Sequence, residues 1–181
     1  MTDAFLFLIN AVFNLYLMVV LLRVWLQLSR ADFYNPFSQF IVKATHPIVG
    51  PLRRIVPSIG SLDTASLILA FGVALLKVLT ISFLFMGGLP NVVQVLTISL
   101  LGLIKEAIWL LIIILIVRAL MSWFSQGRNP LELVMHQLTE PVSAPIRRII
   151  PPVGGLDLSF VVIILGLQFC TYLIPNIFPY F

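Results

Sequence analysis

The stretch NPFSQFIVKATHPIVGPLRRIVPSIGSLD at residues 35–63 returns, 94 positions later, as NPLELVMHQLTEPVSAPIRRIIPPVGGLD at residues 129–157. The two align without a gap and agree at 12 of 29 positions, far more than chance allows. Asn35, Pro36, Thr45, Pro47, Pro51, Arg53, Arg54, Ile55, Pro57, Gly60, Leu62 and Asp63 meet their counterparts from Asn129 to Asp157. Self-similarity at a fixed spacing marks a duplicated structural unit. Upstream, Arg23 matches Arg118 once one residue is inserted. On either side of each copy lies a long apolar run, so one unit reads as span, long loop, span.

Composition fixes the solvent. Of 181 residues 60% are hydrophobic and only 10% are charged, where soluble domains carry about 25% charge. The abundance of Leu, Ile, Val and Phe equally excludes a disordered chain. The expected class is an all-α membrane protein with four transmembrane helices, arranged as two tandem parallel repeats of span, interfacial amphipathic helix and span. The first repeat takes residues 1–90, with spans at 4–28 and 64–86 and an interfacial loop at 29–63. The second takes residues 91–181, with spans at 100–123 and 158–178 and a loop at 124–157. The apolar run at 92–124 is too long for one simple crossing of a roughly 30 Å core. The repeat alignment therefore assigns 92–99 to a linker or interfacial turn. Phe178, Tyr180 and Phe181, with Tyr172, offer an aromatic anchor at the end of the last span. The N-terminus has no basic segment or cleavage site of a secretory signal, so the first span is expected to remain.

Lysine and arginine orient the chain. The first loop carries Arg30, Lys43, Arg53 and Arg54, and the second carries Arg128, Arg147 and Arg148; the linker and both termini carry none. Positive loops face the cytoplasm, which places both long loops inside and both termini outside a bacterial inner membrane. With two spans per unit the repeats run parallel, related by an axis along the membrane normal. In each loop an Asn-Pro pair reads as an N-cap with proline at the first helical position. Pro47 and Pro141 are expected to break the helices so begun. Phe37, Phe40, Ile41 and Ala44, and Leu131, Val134, Met135 and Leu138, make an apolar side for a helix lying flat on the leaflet.

The candidate site residues each carry two readings. Arg53, Arg54, Arg147 and Arg148 set topology and touch phosphate, or else bind an anionic lipid or a partner. Asp63 and Asp157, at the start of the spans, cap free N–H groups and meet the positive helix end. Alternatively they form a cation or proton site, or pair with the arginines, including Arg23 and Arg118, which otherwise snorkel to headgroups. Lys77 and Glu106 lie about 21 and 25 Å deep at 1.5 Å per residue. They form either a structural charge pair or part of an ion path. Lys77 aligns with Thr171 and Lys105 with Asn10, so these charges break the repeat symmetry. No catalytic, cofactor or metal residues emerge: His46 and His136 are not equivalent, no nucleophile or phosphate-loop motif occurs, and Cys170 reads as a packing residue.

The doubled Asn-Pro, Pro-x-x-x-Pro-hydrophobic-Arg-Arg-Ile-hydrophobic-Pro and Gly-x-Leu-Asp pattern resembles the YggT (YlmG) family of bacterial and plastid membrane proteins. Arg118-Ala-Leu-Met-Ser122-Trp123-Phe124 is similar to that family's R-x-x-x-S-W element; the first copy departs, reading Arg23-Val-Trp-Leu-Gln27-Leu28. The resemblance covers essentially the whole chain, and two copies per chain match the proteobacterial type. It implies an integral membrane protein without a transferable catalytic set. It also implies links to osmotic tolerance and potassium homeostasis, to division-gene neighbourhoods and, in plastids, to cytochrome assembly and nucleoid distribution. Two functions follow as expectations. One is a non-enzymatic scaffold or assembly factor that meets anionic lipid or a membrane or cytoplasmic protein. The other is a small oligomeric potassium or proton channel or transporter. Neither needs a cofactor or direct contact with nucleic acid.

Overall fold

The computed structural model describes residues 2–85, 87–88, 90–124, 129–150 and 157–177. Six helices follow in order: α1 (Thr2–Leu28), α2 (Pro36–Ile55), α3 (Thr64–Phe85), α4 (Val92–Phe124), α5 (Pro130–Ile149) and α6 (Ser159–Ile177). Among the described residues the sole strand-like pairing is an isolated bridge between Ile59 and Leu62. The segments Asp3–Leu28, Thr64–Phe85 and Val92–Ser122 are long and apolar enough to cross a membrane, and Ser159–Ile174 is apolar but shorter. These apolar helices mark the chain as membrane-embedded. Arg128, residues 151–156 and the aromatic anchor at 178–181 lie outside the described residues.

Both loop helices start where the Asn-Pro pairs put them. The Asn35 side chain accepts from Ser38 N–H at 2.9 Å and the Asn129 side chain from Leu131 N–H at 3.0 Å. They do not stop at Pro47 and Pro141, as the sequence reading expected. Each helix runs through two prolines and ends after its Arg-Arg pair. Proline removes one N–H and its ring meets the carbonyl four residues back. Pro47, Pro51, Pro141 and Pro145 all lie on the exposed side of their helices. There the freed carbonyls are not forced into a dry core, and the helix continues instead of ending.

The second departure is at 92–99, which is helix and not linker: α4 is unbroken over 33 residues. Its start is fixed by a reciprocal cap. Val93 N–H donates to Asn91 Oδ1 at 2.7 Å, while Asn91 N–H donates to Gln94 Oε1 at 3.2 Å. That is the logic of a capping box, and it satisfies donors that a helix start otherwise leaves free.

Each repeat packs alike. The first span lies against the loop helix and the second span, and the loop helix also meets the second span. Most of the core belongs to the first repeat and its seam with the second: Leu17 and Leu26 of α1, Ile41 of α2 and Ala70 of α3 meet Leu110 and Ile114 of α4 and Leu138 of α5. A smaller cluster of Leu115, Phe160 and Ile163 seats α6 on α4. α2 has three sectors around its axis. Ser38, Ile41, Thr45 and Val49 are buried; Lys43, His46 and Arg54 form a polar side; Phe40, Ala44, Ile48 and Ile55 form an apolar side that stays exposed. The expected apolar side is therefore divided, with Ile41 turned inward and Phe40 and Ala44 turned out.

Candidate functional site

The repeated arginines and aspartates converge where the loop helix, the end of the first span and the start of the second span meet. In the first repeat this cluster is built around Asp63. A tight turn brings it there: Ile59 and Leu62 exchange backbone hydrogen bonds at 3.0 and 3.2 Å, and Gly60 takes a φ of 60°. Only glycine takes that conformation without strain, which explains the glycine of Gly-x-Leu-Asp. Asp63 then caps α3, accepting from Ser66 N–H at 3.3 Å and from Ser66 Oγ at 2.6 Å.

The same carboxylate holds two arginines. Arg53 Nη2 donates to Asp63 Oδ2 at 2.6 Å and also reaches Gln27 Oε1 at 3.0 Å. Arg23 does not snorkel away: its Nε lies 3.4 Å from Asp63 Oδ2, and its Nη1 donates to Thr45 Oγ1 at 2.7 Å. The Arg23 and Asp63 side chains are 4% and 0% exposed. Two charges at that depth are tolerable only as partners. Asp63 is fully hydrogen-bonded, whereas Arg23 Nε is buried without a hydrogen bond and is met by the Asp63 charge alone. Burial works against the Asp63 charge, but the hydrogen bonds from Arg53 and Ser66 outweigh it. They hold the carboxyl below its ordinary value of 3.8.

The second repeat keeps the pair and loosens the rest. Arg147 Nε donates to Asp157 Oδ2 at 2.9 Å, with the two side chains 31% and 22% exposed. Asp157 accepts from Ser159 N–H at 3.0 Å and from the Ser159 hydroxyl. Against the burial cost these bonds and Arg147 hold Asp157 below its ordinary value, while Asp157 and Glu140 raise Arg147 above its own. Arg118 turns to a different partner, Glu132 Oε1 at 3.5 Å. Glu140 sits 3.4 Å from Arg147 and 3.5 Å from His136.

Each Arg-Arg pair is thus divided. Arg53 and Arg147 are tied to the aspartate ten residues on, whereas Arg54 and Arg148 are exposed at the helix end. Beside Arg148 lies an open groove of about 500 Å³, lined also by Ser29, His136, Gln137 and Glu140. α1 is joined to α5 by Trp25 Nε1, which donates to Leu138 O at 2.9 Å, and the segment after α1 by Asp32 N–H, which donates to Gln137 Oε1 at 2.8 Å.

A second polar place lies deep between α1, α3 and α4. Asn14, Lys77, Ser99, Gly102, Lys105 and Glu106 line a cavity of about 290 Å³ there. Lys77 Nζ donates to Asn14 Oδ1 at 2.6 Å. Lys77 and Glu106 face the same cavity, but the contact made by the lysine is to the asparagine. Among the described residues no group of three His, Cys, Asp or Glu side chains is arranged to hold a metal ion.

Sequence reasoning missed Thr45, Gln27, Glu132 and Glu140. Thr45 was legible, since it is one of the 12 shared positions. Gln27 occupies the place where the first copy departs from R-x-x-x-S-W. The Trp25 bond to an α5 carbonyl left no mark in the sequence.

The model of the CCB3/YggT family matches this chain twice, over residues 2–84 and 97–178. The chain belongs to the CCB3/YggT family. The two matches coincide with the two structural repeats, one YggT unit to each. Among similar proteins, one of Vibrio alginolyticus, named only as an uncharacterized protein in the proC 3' region, is 56% identical over 94% of this chain and 93% of its own length. The YggT protein of Escherichia coli K12 is 46% identical over 88% of this chain and 82% of its own. A Pseudomonas aeruginosa relative is 39% identical over 97% and 90%. No solved structure matches this YggT-family chain.

Proposed function

We propose that this YggT-family protein is a non-enzymatic, four-span scaffold of the bacterial inner membrane, with α2 and α5 on its cytoplasmic side as a docking face. The observation that carries this reading is the divided Arg-Arg pair. One arginine of each pair is tied to the aspartate ten residues on, and the other is presented at the end of an amphipathic helix. Two such helices on one chain offer Arg54 and Arg148, with Lys43 of α2 and the groove beside α5, to anionic headgroups or to an acidic protein surface. The three sectors of α2 suit a helix at the membrane boundary, with one side on the spans, one in the acyl region and one in water.

The test is thermal unfolding of purified protein with and without phosphatidylglycerol, for the natural sequence and for an Arg54→Glu, Arg148→Glu double variant. Phosphatidylglycerol should raise the midpoint of the natural protein and leave the double variant nearly unmoved. An equal rise in both would remove lipid docking through these arginines.

The charged cavity favours a second reading, a small potassium or proton path through Asn14, Lys77, Lys105 and Glu106. Ion flux in liposomes separates the two. Flux that Glu106→Gln abolishes would make this a transport protein, and absence of flux from correctly inserted protein supports the scaffold.

A further inference from the structure

The two repeats are alike, yet they do not meet face to face as a two-fold pair would. α3 packs on α4, and α1 also touches α4; the reciprocal packing of α6 on α1 is not among the close helix pairs of the described residues. The arrangement is head to tail. One side of the first repeat meets a different side of the second, so each repeat leaves one side unused.

Equivalent residues show what is unused. Leu103, Ala107 and Leu110 of α4, with Val134 and Leu138 of α5, join the core built on the first repeat. Their counterparts are Leu8, Val12 and Leu15 of α1 and Phe40 and Ala44 of α2, and all five are exposed. Leu110 is 6% exposed where Leu15 is 67% exposed. The other end mirrors this. Ala74 and Lys77 mark the side of α3 that meets α4, and Leu67 and Phe71 share that side at helical spacing, partly covered. Their α6 counterparts, Val161 and Leu165, are exposed, with Gln168 and Thr171 in place of Ala74 and Lys77. Exposure of apolar groups to lipid carries no penalty and argues nothing alone. The same two surfaces, in their duplicated form, already pack together within the chain.

We propose that a second copy of this chain seats its α6 against α1 and α2 of the first, repeating the seam between the repeats. Such a joint is heterologous: it joins unlike surfaces and propagates until the copies close a ring. It also differs chemically from the internal seam. The positions of Lys77, Lys105 and Glu106 are taken by Thr171, Asn10 and Ala11, so the joint between copies holds uncharged groups in place of charges. This inference rests on the repeat geometry and stands apart from the docking function of the arginines.

The experiment co-expresses two differently tagged chains, both carrying Cys170→Ser, one with Leu15→Cys and the other with Leu165→Cys. Membranes are treated with a short bismaleimide. The expected product is a covalent dimer containing both tags, absent when either variant is expressed alone. Crosslinks only between like chains, or no mixed product when both chains are inserted, would overturn the proposal. The natural sequence provides a second reading through its mass in native lipid particles. More than one chain per particle is expected, and a single chain would overturn the joint without reference to any variant.

Discussion

At the scale of single residues, the same Asp-Arg pair sits in two different environments, and its worth differs accordingly. Asp63 is fully buried against Arg23 and Arg53, so Asp63→Asn leaves Arg23 charged and without its counter-ion in a dry place. Breaking a buried pair on one side costs about 3–5 kcal/mol. Asp157→Asn acts on a pair open to solvent, where about 1 kcal/mol is the upper range. Unfolding midpoints of the two variants in detergent should therefore separate clearly, with Asp63→Asn the lower. Both aspartates have folded pKa values below the ordinary 3.8. Their contribution is complete above that value and is lost as pH falls through the lower folded ones. Stability should decline below about pH 4, and more shallowly in Asp63→Asn; an unchanged acid slope would contradict the assignment. Thr45 offers a paired comparison. Thr45→Val strands a buried Arg23 N–H and should cost about 1–3 kcal/mol. Thr139 donates only to carbonyls of its own helix, at 2.9 and 3.2 Å, so Thr139→Val should be close to neutral.

At the scale of elements, the helix ends follow rules visible in the sequence, with one strained exception. α1 ends in a Schellman motif, with Arg30 N–H on Gln27 O at 3.1 Å and Ala31 N–H on Leu26 O at 3.0 Å. The left-handed residue is Arg30, at φ 50°, where glycine is the usual occupant. Arg30→Gly should stabilise by about 1 kcal/mol, read as a higher unfolding midpoint. The Asn-Pro starts were legible because capping is a local matter of one side chain and the next few N–H groups. The proline stops were misread because what a proline does depends on which side of the helix it lies. That is fixed by packing against α1 and α3 and not by the residue itself. The start of α4 was misread for a simpler reason: the Asn91 and Gln94 pair is a capping signal that repeat alignment alone overrode.

At the scale of the whole molecule, orientation remains the most direct prediction of the charge pattern. Cysteines at Gln39 and Gln137, on a Cys170→Ser background, should react with an impermeant maleimide only when the cytoplasmic side is opened. Labelling of intact cells from outside would reverse the placement of α2 and α5. The sequence by itself determined the membrane class, the duplication and the family, because composition and self-similarity are sums over many residues that no single contact can alter. It also carried the arginines and aspartates of the site, since duplication marked them. Only the tertiary structure decided which arginine of each pair is tied to an aspartate, that Arg23 shares Asp63 while Arg118 takes Glu132, and that the repeats join head to tail. Those choices depend on the rotation and depth at which helices pack. Two related sequences, alike at 12 of 29 loop positions, reach different contacts because the two repeats meet each other through different sides.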